Sequence, residues 1–511
     1  MEDRARIPVE PPVADPLPSY WHEPKSPLAN INHSEDSIHQ PYDHVIIGSG
    51  ISGTMIAYNM LKTRPKARIM MLEAREICSG ATGRNGGHTK AASYRSYLQH
   101  VEELGKEEAL KIARLEYENI VETHRLAEEL NIVCEKKLCK TVDIIYDKPT
   151  FQLGKLAVQA LRADSEEEEK SGGKMAWYNI RENVETVSKH FGVSAKNENP
   201  GVENEETVAG AFEYMAGRVH AYRFTTGVLA ECVKMGLQIC TNTPVYSIEP
   251  DRDHSDLIWN VSTSPDGSTN FVGFNLILAT NGYTPFLEKS LQGAIVPMRG
   301  QITVQKPGVN TILPAPLPMT FSFIYKNGYE YMIPRPLPDG GQHIVIGGGL
   351  GRLPNAGASE FGTVDDRSLN ADISKYLQGS LAGFFGSANW GENSEEELTE
   401  RVVQEWTGIM GATADGRPFV GQVPGKIDYR FLSSGTAQST ADVPWRNLWI
   451  SAGFNGHGMV LCLKSAEALV KMINNCGSTG GLEWFPKSFL MSEERLARCQ
   501  FRGRTDLLPK D

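Results

Sequence analysis

Cysteine is sparse in this chain of 511 residues: the eight present are scattered and none forms a C-x-x-C pair, so neither a zinc site nor a disulfide framework is expected. A reducing compartment suits that usage. Basic residues are short as well. The 51 Lys and Arg stand against 62 Asp and Glu, a net charge of −11, which leaves no basic face for a phosphate backbone or an anionic lipid. Nucleic acid is therefore not an expected partner. Long apolar runs are missing too, since no stretch approaches the roughly 18 residues needed to cross a bilayer. The first 42 residues are polar and proline-rich (VEPPVADPLPSYWHEPKSP) and read as a flexible arm. They lack the apolar core of about 7–15 residues that marks a signal peptide. The final PKD is not a peroxisomal address. These absences make a cytoplasmic protein the expectation.

What the chain does have is apolar material, at 40% hydrophobic residues against 22% charged, enough for one large domain or two to three interleaved ones. The apolar run His44 to Ile47 ends in GSGISG and continues as TMIAYNMLKTRP, which reads as a buried strand, a tight turn and a helix stopped by Pro65. A second strand, ARIMMLE, completes a βαβ unit of about 30 residues. Gly48, Gly50 and Gly53 fill the three positions of G-x-G-x-x-G, with Ile51 and Ser52 opening the helix. The first glycine permits the turn, the second lets backbone approach a pyrophosphate, and the third allows close helix–strand packing. Glu73 closes the next strand 20 residues beyond Gly53, where an acid accepts hydrogen bonds from a ribose, and Ala74 and Arg75 follow it.

Further along, apolar residues from Leu110 to Leu130 recur at helical spacing within Lys106 to Asn131, a long amphipathic helix. Acidic stretches (SEEEEKSGGK and SAKNENPGVENEE) flank MAWYNIRENVETV and read as surface insertions of a substrate-side domain. A helix is expected over Thr225 to Met235, then strands in LQICTNTPVYSIEP interrupted by Pro244, and another in FNLILAT. Strands at Gly300 to Val304, Tyr329 to Ile333 and His343 to Ile346 suggest a mixed, largely antiparallel sheet. NLWISAGFNGHGM running into VLCLKSAEALVKMI repeats the order strand, glycine turn, helix. Dinucleotide-type pieces thus lie at both ends and in the middle, so the cofactor domain must be discontinuous.

The polar, glycine-rich segment EAREICSGATGRNGG follows the ribose acid where a plain NAD domain begins another helix. It resembles the corresponding segment of the D-amino-acid-oxidase-like FAD oxidoreductase superfamily, in the branch of glycine oxidase, sarcosine oxidase and γ-glutamylputrescine oxidase; ATGRNGGH is most similar to the last. The resemblance implies flavin contacts from Ala81, Thr82, Arg84, Asn85, Gly86 and Gly87. Through Thr243-Pro244-Val245 it implies a Val245 backbone contact to adenine, and through ILATNGYT it places Ala279, Thr280, Asn281 and Gly282 on the adenosine side. GFNGHGM, from Gly453 and Phe454 through Asn455, Gly456 and His457 to Gly458 and Met459, resembles the loop whose N–H groups and helix dipole face the flavin pyrimidine. PMRGQ and WTGIMGATADGRPFVG extend the likeness, which covers roughly residues 43 to 475 and leaves the acidic insertions unmatched.

The implied fold is α/β: a discontinuous Rossmann-type FAD-binding domain (43–140, 215–295 and 400–480), an interleaved mixed-sheet substrate domain (141–214 and 296–399), the arm 1–42 and a tail 481–511. The implied activity is oxidation of a primary or secondary amine to an imine, with molecular oxygen leaving as hydrogen peroxide. A dehydrogenase using another acceptor, a tailoring oxidase of a larger amine metabolite and a flavin-binding protein without turnover remain the alternatives. His88 and Lys90 fall near the ring, and His457 either contacts the flavin or only caps its turn. Arg299 is a salt-bridge partner or a cavity residue, Lys306 and Lys326 are candidates to activate oxygen, and Trp406 reads as core. Relatives that attach FAD through histidine carry it where Arg84 stands, and those that use cysteine carry it near Trp406, where there is none, so FAD is expected to be noncovalent. Met410 occupies the place of the glycine oxidase arginine, in its WAGLRP segment, that pairs with a substrate carboxylate. The expected substrate therefore lacks a carboxylate beside the reacting carbon, unless Arg335 in YMIPRP takes over that pairing.

Overall fold

The computed structural model describes residues 1–33, 41–251, 258–268, 270–392, 400–424 and 447–501. Tyr42–Ile47 is the central strand of a first sheet, paired in parallel with Ile69–Leu72 (Val45 opposite Met70) and with Asn270–Leu278 (Ile47 opposite Leu278). Gln238–Cys240 and Leu448–Ala452 extend it in parallel on either side, and Phe419–Gln422 closes one edge antiparallel. Val45–Ile47, Ile69–Leu72 and Leu276–Leu278 are buried apolar runs because helices cover the sheet, as parallel sheets require. The helices Ile51–Thr63, Ala221–Lys234 and Cys462–Asn474 pack together in the core that includes Ile46, Met71 and Trp449.

A second sheet runs in the order Val402–Thr413, Ile295–Gln305, Gln342–Gly348, Gly328–Pro336, Thr320–Tyr325, Lys137–Ile145, Gly210–Arg218 and His88–Thr89. All its neighbours are antiparallel except Thr320–Tyr325 with Lys137–Ile145. One face packs on the helix Ala371–Phe385, where Phe323 and Phe384 stack with centroids 3.9 Å apart. The helix expected over 106 to 131 is present as Lys106–Glu129.

Three expected boundaries move. Residues 140 and 214 fall inside strands of the second sheet, and Val402–Thr413, grouped from sequence with the cofactor domain, pairs along its length with Ile295–Gln305. Its partner lies about a hundred residues upstream, a separation that no local pattern reports. The arm also differs from expectation, for residues 1–33 are packed rather than flexible. Trp21 is buried with its ring 4.7 Å from that of His220, Ser19 Oγ donates to the Gly83 carbonyl at 2.8 Å, and Leu17 N–H donates to the Asp366 carbonyl at 2.8 Å. A proline-rich segment has no periodicity to announce such order, which comes here entirely from tertiary contacts.

Candidate functional site

The glycine turn is built by close approach. A Cβ on Gly48, whose φ is +106°, would lie 2.7 Å from the Ala279 carbonyl oxygen, and one on Gly53 would lie 2.0 Å from the Gly48 carbonyl oxygen. Helix Ile51–Thr63 therefore starts tight against the strand, and its first N–H donates to Thr82 Oγ1 at 3.0 Å. Glu73 Oε2 accepts from the N–H and the hydroxyl of Ser49, at 3.0 and 2.6 Å, and its Oε1 accepts from Arg75 N–H at 3.1 Å. The carboxylate is fixed at the mouth of the turn with further lone pairs to offer.

The loop after Glu73 is held by two buried arginines. Arg75 Nη1 donates to both oxygens of Asp366, at 3.0 and 3.1 Å, and Arg84 reaches Asp366 at 3.6 Å while donating to the carbonyls of Ser79, Thr407 and Leu17. Burial pulls the Arg84 guanidinium down to about 10, against the pull of Asp366. Trp406 Nε1 donates to the Arg84 carbonyl at 2.8 Å, so this core tryptophan also fastens the loop. Asn281 Oδ1 accepts from Gly453 and Phe454 N–H, at 3.0 and 3.2 Å, and Asn455 Oδ1 accepts from Thr413 N–H at 2.8 Å. These two asparagines tie the middle and C-terminal segments into one wall.

All of these segments line a single cavity of about 580 Å³ between the two sheets. Of the residues expected to contact the cofactor, Gly53, Gly87, Gly282 and Gly453 stand behind the lining and the others reach it. The four have packing roles: a Cβ on Gly87 would meet the Val219 carbonyl at 2.2 Å, and one on Gly282 the Met410 carbonyl at 2.4 Å. The arrangement fits a dinucleotide, with a helix start and an acceptor acid at one end and open space beside Gly80, where a Cβ would meet nothing within 4 Å.

At the other end the second sheet supplies the wall. His88 Nε2 lies 2.6 Å from Thr320 Oγ1, and burial, with Lys90 nearby, holds its imidazole well below the usual range. His457 Nδ1 lies 2.8 Å from the Asn455 carbonyl oxygen; a carbonyl only accepts, so Nδ1 carries the proton and Nε2 keeps its lone pair. Burial lowers its proton affinity also. Lys90 is ion-paired with Asp143 and donates to Ser322 Oγ at 2.7 Å, while Tyr94 and Tyr214 donate to the same carboxylate at 2.8 and 3.0 Å. Met410 lies against Gly300 and Gly456, an apolar stretch of wall.

Several candidates are placed elsewhere. Arg335 pairs with Glu135 at 3.2 Å and its guanidinium covers the rings of Tyr20 and Trp21, away from the cavity lining. Arg299 is a salt-bridge residue, 2.6 Å from Glu360, and neither Lys306 nor Lys326 lines the cavity. Sequence reasoning missed Arg95, Asp143, Tyr214 and Tyr329. For Arg95 there was a signal: with Ser96, Gln99 and His100 it forms a polar face on the helix that follows the loop, and all four line the cavity.

A glycine turn, an acid after the second parallel strand and a cavity shared with a second sheet mark the chain as a dinucleotide-binding protein. The chain belongs to the FAD dependent oxidoreductase family, whose model matches residues 43–472. A probable oxidoreductase, OrdL of Haemophilus influenzae, is 24% identical over 272 residues, covering 53% of this chain and 54% of that relative, so the chain spans about half the length of the curated relative it matches. Glycine oxidase from Geobacillus kaustophilus has a TM-score of 0.61 at 18% identity, covering 89% of this chain and 99% of that one. L-proline dehydrogenase from P. horikoshii has a TM-score of 0.59 at 16% identity, covering 88% and 98%. At those identities the likeness is one of fold.

Proposed function

We propose that this enzyme oxidises the C–N bond of an amine, with FAD held noncovalently by the segments around Gly48–Gly53, Glu73, Ala81–Gly86, Val245, Ala279–Asn281 and Phe454–Met459. FAD supplies the acceptor for a hydride. Bound there, it would take that hydride from the carbon beside the amine nitrogen, leaving an imine that water would hydrolyse to a carbonyl compound and a smaller amine or ammonia. Molecular oxygen takes the two electrons and leaves as hydrogen peroxide.

The observation that carries this reading is the substrate-side wall itself, where His457 Nε2 keeps a free lone pair beside the apolar surface of Met410. An amine is oxidised as the neutral base, since its lone pair must stabilise the developing imine. Burial favours the neutral form of a basic nitrogen, and it lowers the proton affinity of His88 on this wall. A substrate amine in the same cavity is subject to the same desolvation. His457 Nε2 offers an acceptor for an N–H, and Met410 gives the reacting carbon an apolar wall. Catalysis then asks only for orientation and a dry cavity.

The test is steady-state peroxide release with a panel of primary and secondary amines, scored together with the carbonyl product. Peroxide and carbonyl in equal amounts support the reading. Turnover only with an artificial electron acceptor would make the protein a dehydrogenase, and turnover of 2-hydroxy acids in place of amines would refute C–N oxidation.

A further inference from the structure

Three acids line the cavity, Glu73, Glu116 and Asp415, and two of them are engaged. Glu73 accepts from Ser49 and from Arg75 N–H, and Asp415 pairs with Arg495 at 2.9 Å and Arg417 at 3.6 Å. Glu116 differs. It is buried, its Oε2 accepts from the Ser93 hydroxyl at 2.5 Å, and among the described residues no cation stands within ion-pair distance of it. Arg95, two residues beyond Ser93, lies over the ring of Tyr329 instead. A buried carboxylate without a counter-ion is costly, and a cation entering the cavity would relieve that cost.

The helix Lys106–Glu129 carries Ile112, Glu116 and Asn119 on one face. Asn119 ties that face to the C-terminal loop: its Nδ2 donates to the Met459 carbonyl at 3.1 Å, and its Oδ1 accepts from Lys464 N–H at 3.2 Å. The loop runs back from Met459 through Gly458 to His457, and Ile112, Met459 and Val460 line the cavity together with Glu116. An acceptor for a neutral amine and an unpaired acid thus share one wall, with apolar side chains between them.

We propose that Glu116 receives a second, protonated nitrogen of the substrate, so that the amine oxidised here is one end of a diamine or polyamine, an inference that rests on reading this cavity as the amine's. The two nitrogens then have opposite needs. The reacting one must be neutral and meets the lone pair of His457, while the distal one keeps its charge and is balanced by the carboxylate of Glu116. Ile112, Met459 and Val460 offer apolar surface to the methylenes that join them. A monoamine of the same length leaves the carboxylate unpaired.

The experiment titrates FAD-loaded enzyme by calorimetry with benzamidinium and with benzamide, its uncharged mate of the same shape, on the alkaline side of the value of about 7 at which Glu116 ionises. Unmodified enzyme should bind the cation about tenfold or more tightly than benzamide. Glu116→Gln removes the charge and keeps an acceptor for Ser93; it should weaken the cation by about tenfold or more with benzamide affinity unmoved, and Glu116→Asp should recover part of the loss. Absent or equal binding of the two probes by the unmodified enzyme overturns the proposal. So does an unchanged cation affinity in Glu116→Gln, or a parallel loss of both ligands. Turnover then separates the two claims, with α,ω-diamines upward from putrescine each compared with the monoamine of the same length. A diamine advantage in kcat/KM of about tenfold or more that vanishes in Glu116→Gln supports both. Turnover of amines with no diamine advantage sinks the proposal and leaves the amine reading standing, whereas no turnover of any amine with the cation preference intact sinks the amine reading and leaves the cation site standing.

Discussion

The carboxylate of Glu73 is fastened to Ser49 twice, through the backbone N–H at 3.0 Å and the hydroxyl at 2.6 Å. The acid that would accept from the ribose therefore also braces the glycine turn. Glu73→Ala removes charge-assisted bonds to ligand and turn together, and the FAD dissociation constant should rise by about tenfold or more. Titration of the apoprotein measures it. On the proposed noncovalent tether, acid precipitation of the unmodified enzyme should leave its FAD in the supernatant.

The turn was readable because everything that specifies it is local: the strand Tyr42–Ile47, three glycines, a helix and Glu73 fall within one short stretch. The segments tied by Asn281 and Asn455 were readable through resemblance. Arg95 was readable only in part: its polar face with Ser96, Gln99 and His100 shows in the sequence, but that this face turns to a cavity is decided by packing. The place of Val402–Thr413 was not readable, because its motif suggested the cofactor domain while its hydrogen bonds go to Ile295–Gln305.

The arm holds the flavin loop from outside the residues that the family model matches. Ser19 reaches Gly83, the Leu17 carbonyl accepts from Arg84 at 2.5 Å, and the Val13 carbonyl accepts from Arg75 at 3.4 Å. Deleting residues 1–33 leaves the buried Arg84 short of an acceptor, which costs roughly 1–3 kcal/mol. The truncated protein should emerge from gel filtration depleted of FAD, with a dissociation constant raised about tenfold. Full retention would show that the loop holds its shape alone.

Arg335→Ala should leave kcat/KM within about twofold, since its ion pair with Glu135 and its stacking on Tyr20 lie away from the cavity. The loss belongs in stability, about 1.5–3 kcal/mol for a largely buried pair, eased where Arg223 stays at Glu135. Thermal melting of the variant beside its amine kinetics separates the two effects. A large fall in kcat/KM at unchanged stability would return Arg335 to the site.

Glu116 makes stability depend on pH. Burial raises its carboxyl to about 7, opposed by the hydroxyl of Ser93 at 2.5 Å. The folded protein then holds a proton that an unfolded glutamate, at about 4.3, gives up, so this contribution is complete below pH 4.3 and is lost as pH rises through 7. Glu116→Gln should change the melting temperature little near pH 5 and raise it near pH 8, by on the order of 1–3 kcal/mol of stability. An equal effect at both pH values would mean that Glu116 is ionised throughout.

Anaerobic mixing of the FAD-loaded enzyme with the amine panel tests the central claim most directly, because it observes electron transfer from substrate without depending on the final acceptor. The visible flavin band should bleach with an amine. Admitting oxygen should then restore the colour with one peroxide and one carbonyl product per flavin. A band that no amine bleaches, or that 2-hydroxy acids bleach instead, would contradict the assignment of this cavity to C–N oxidation.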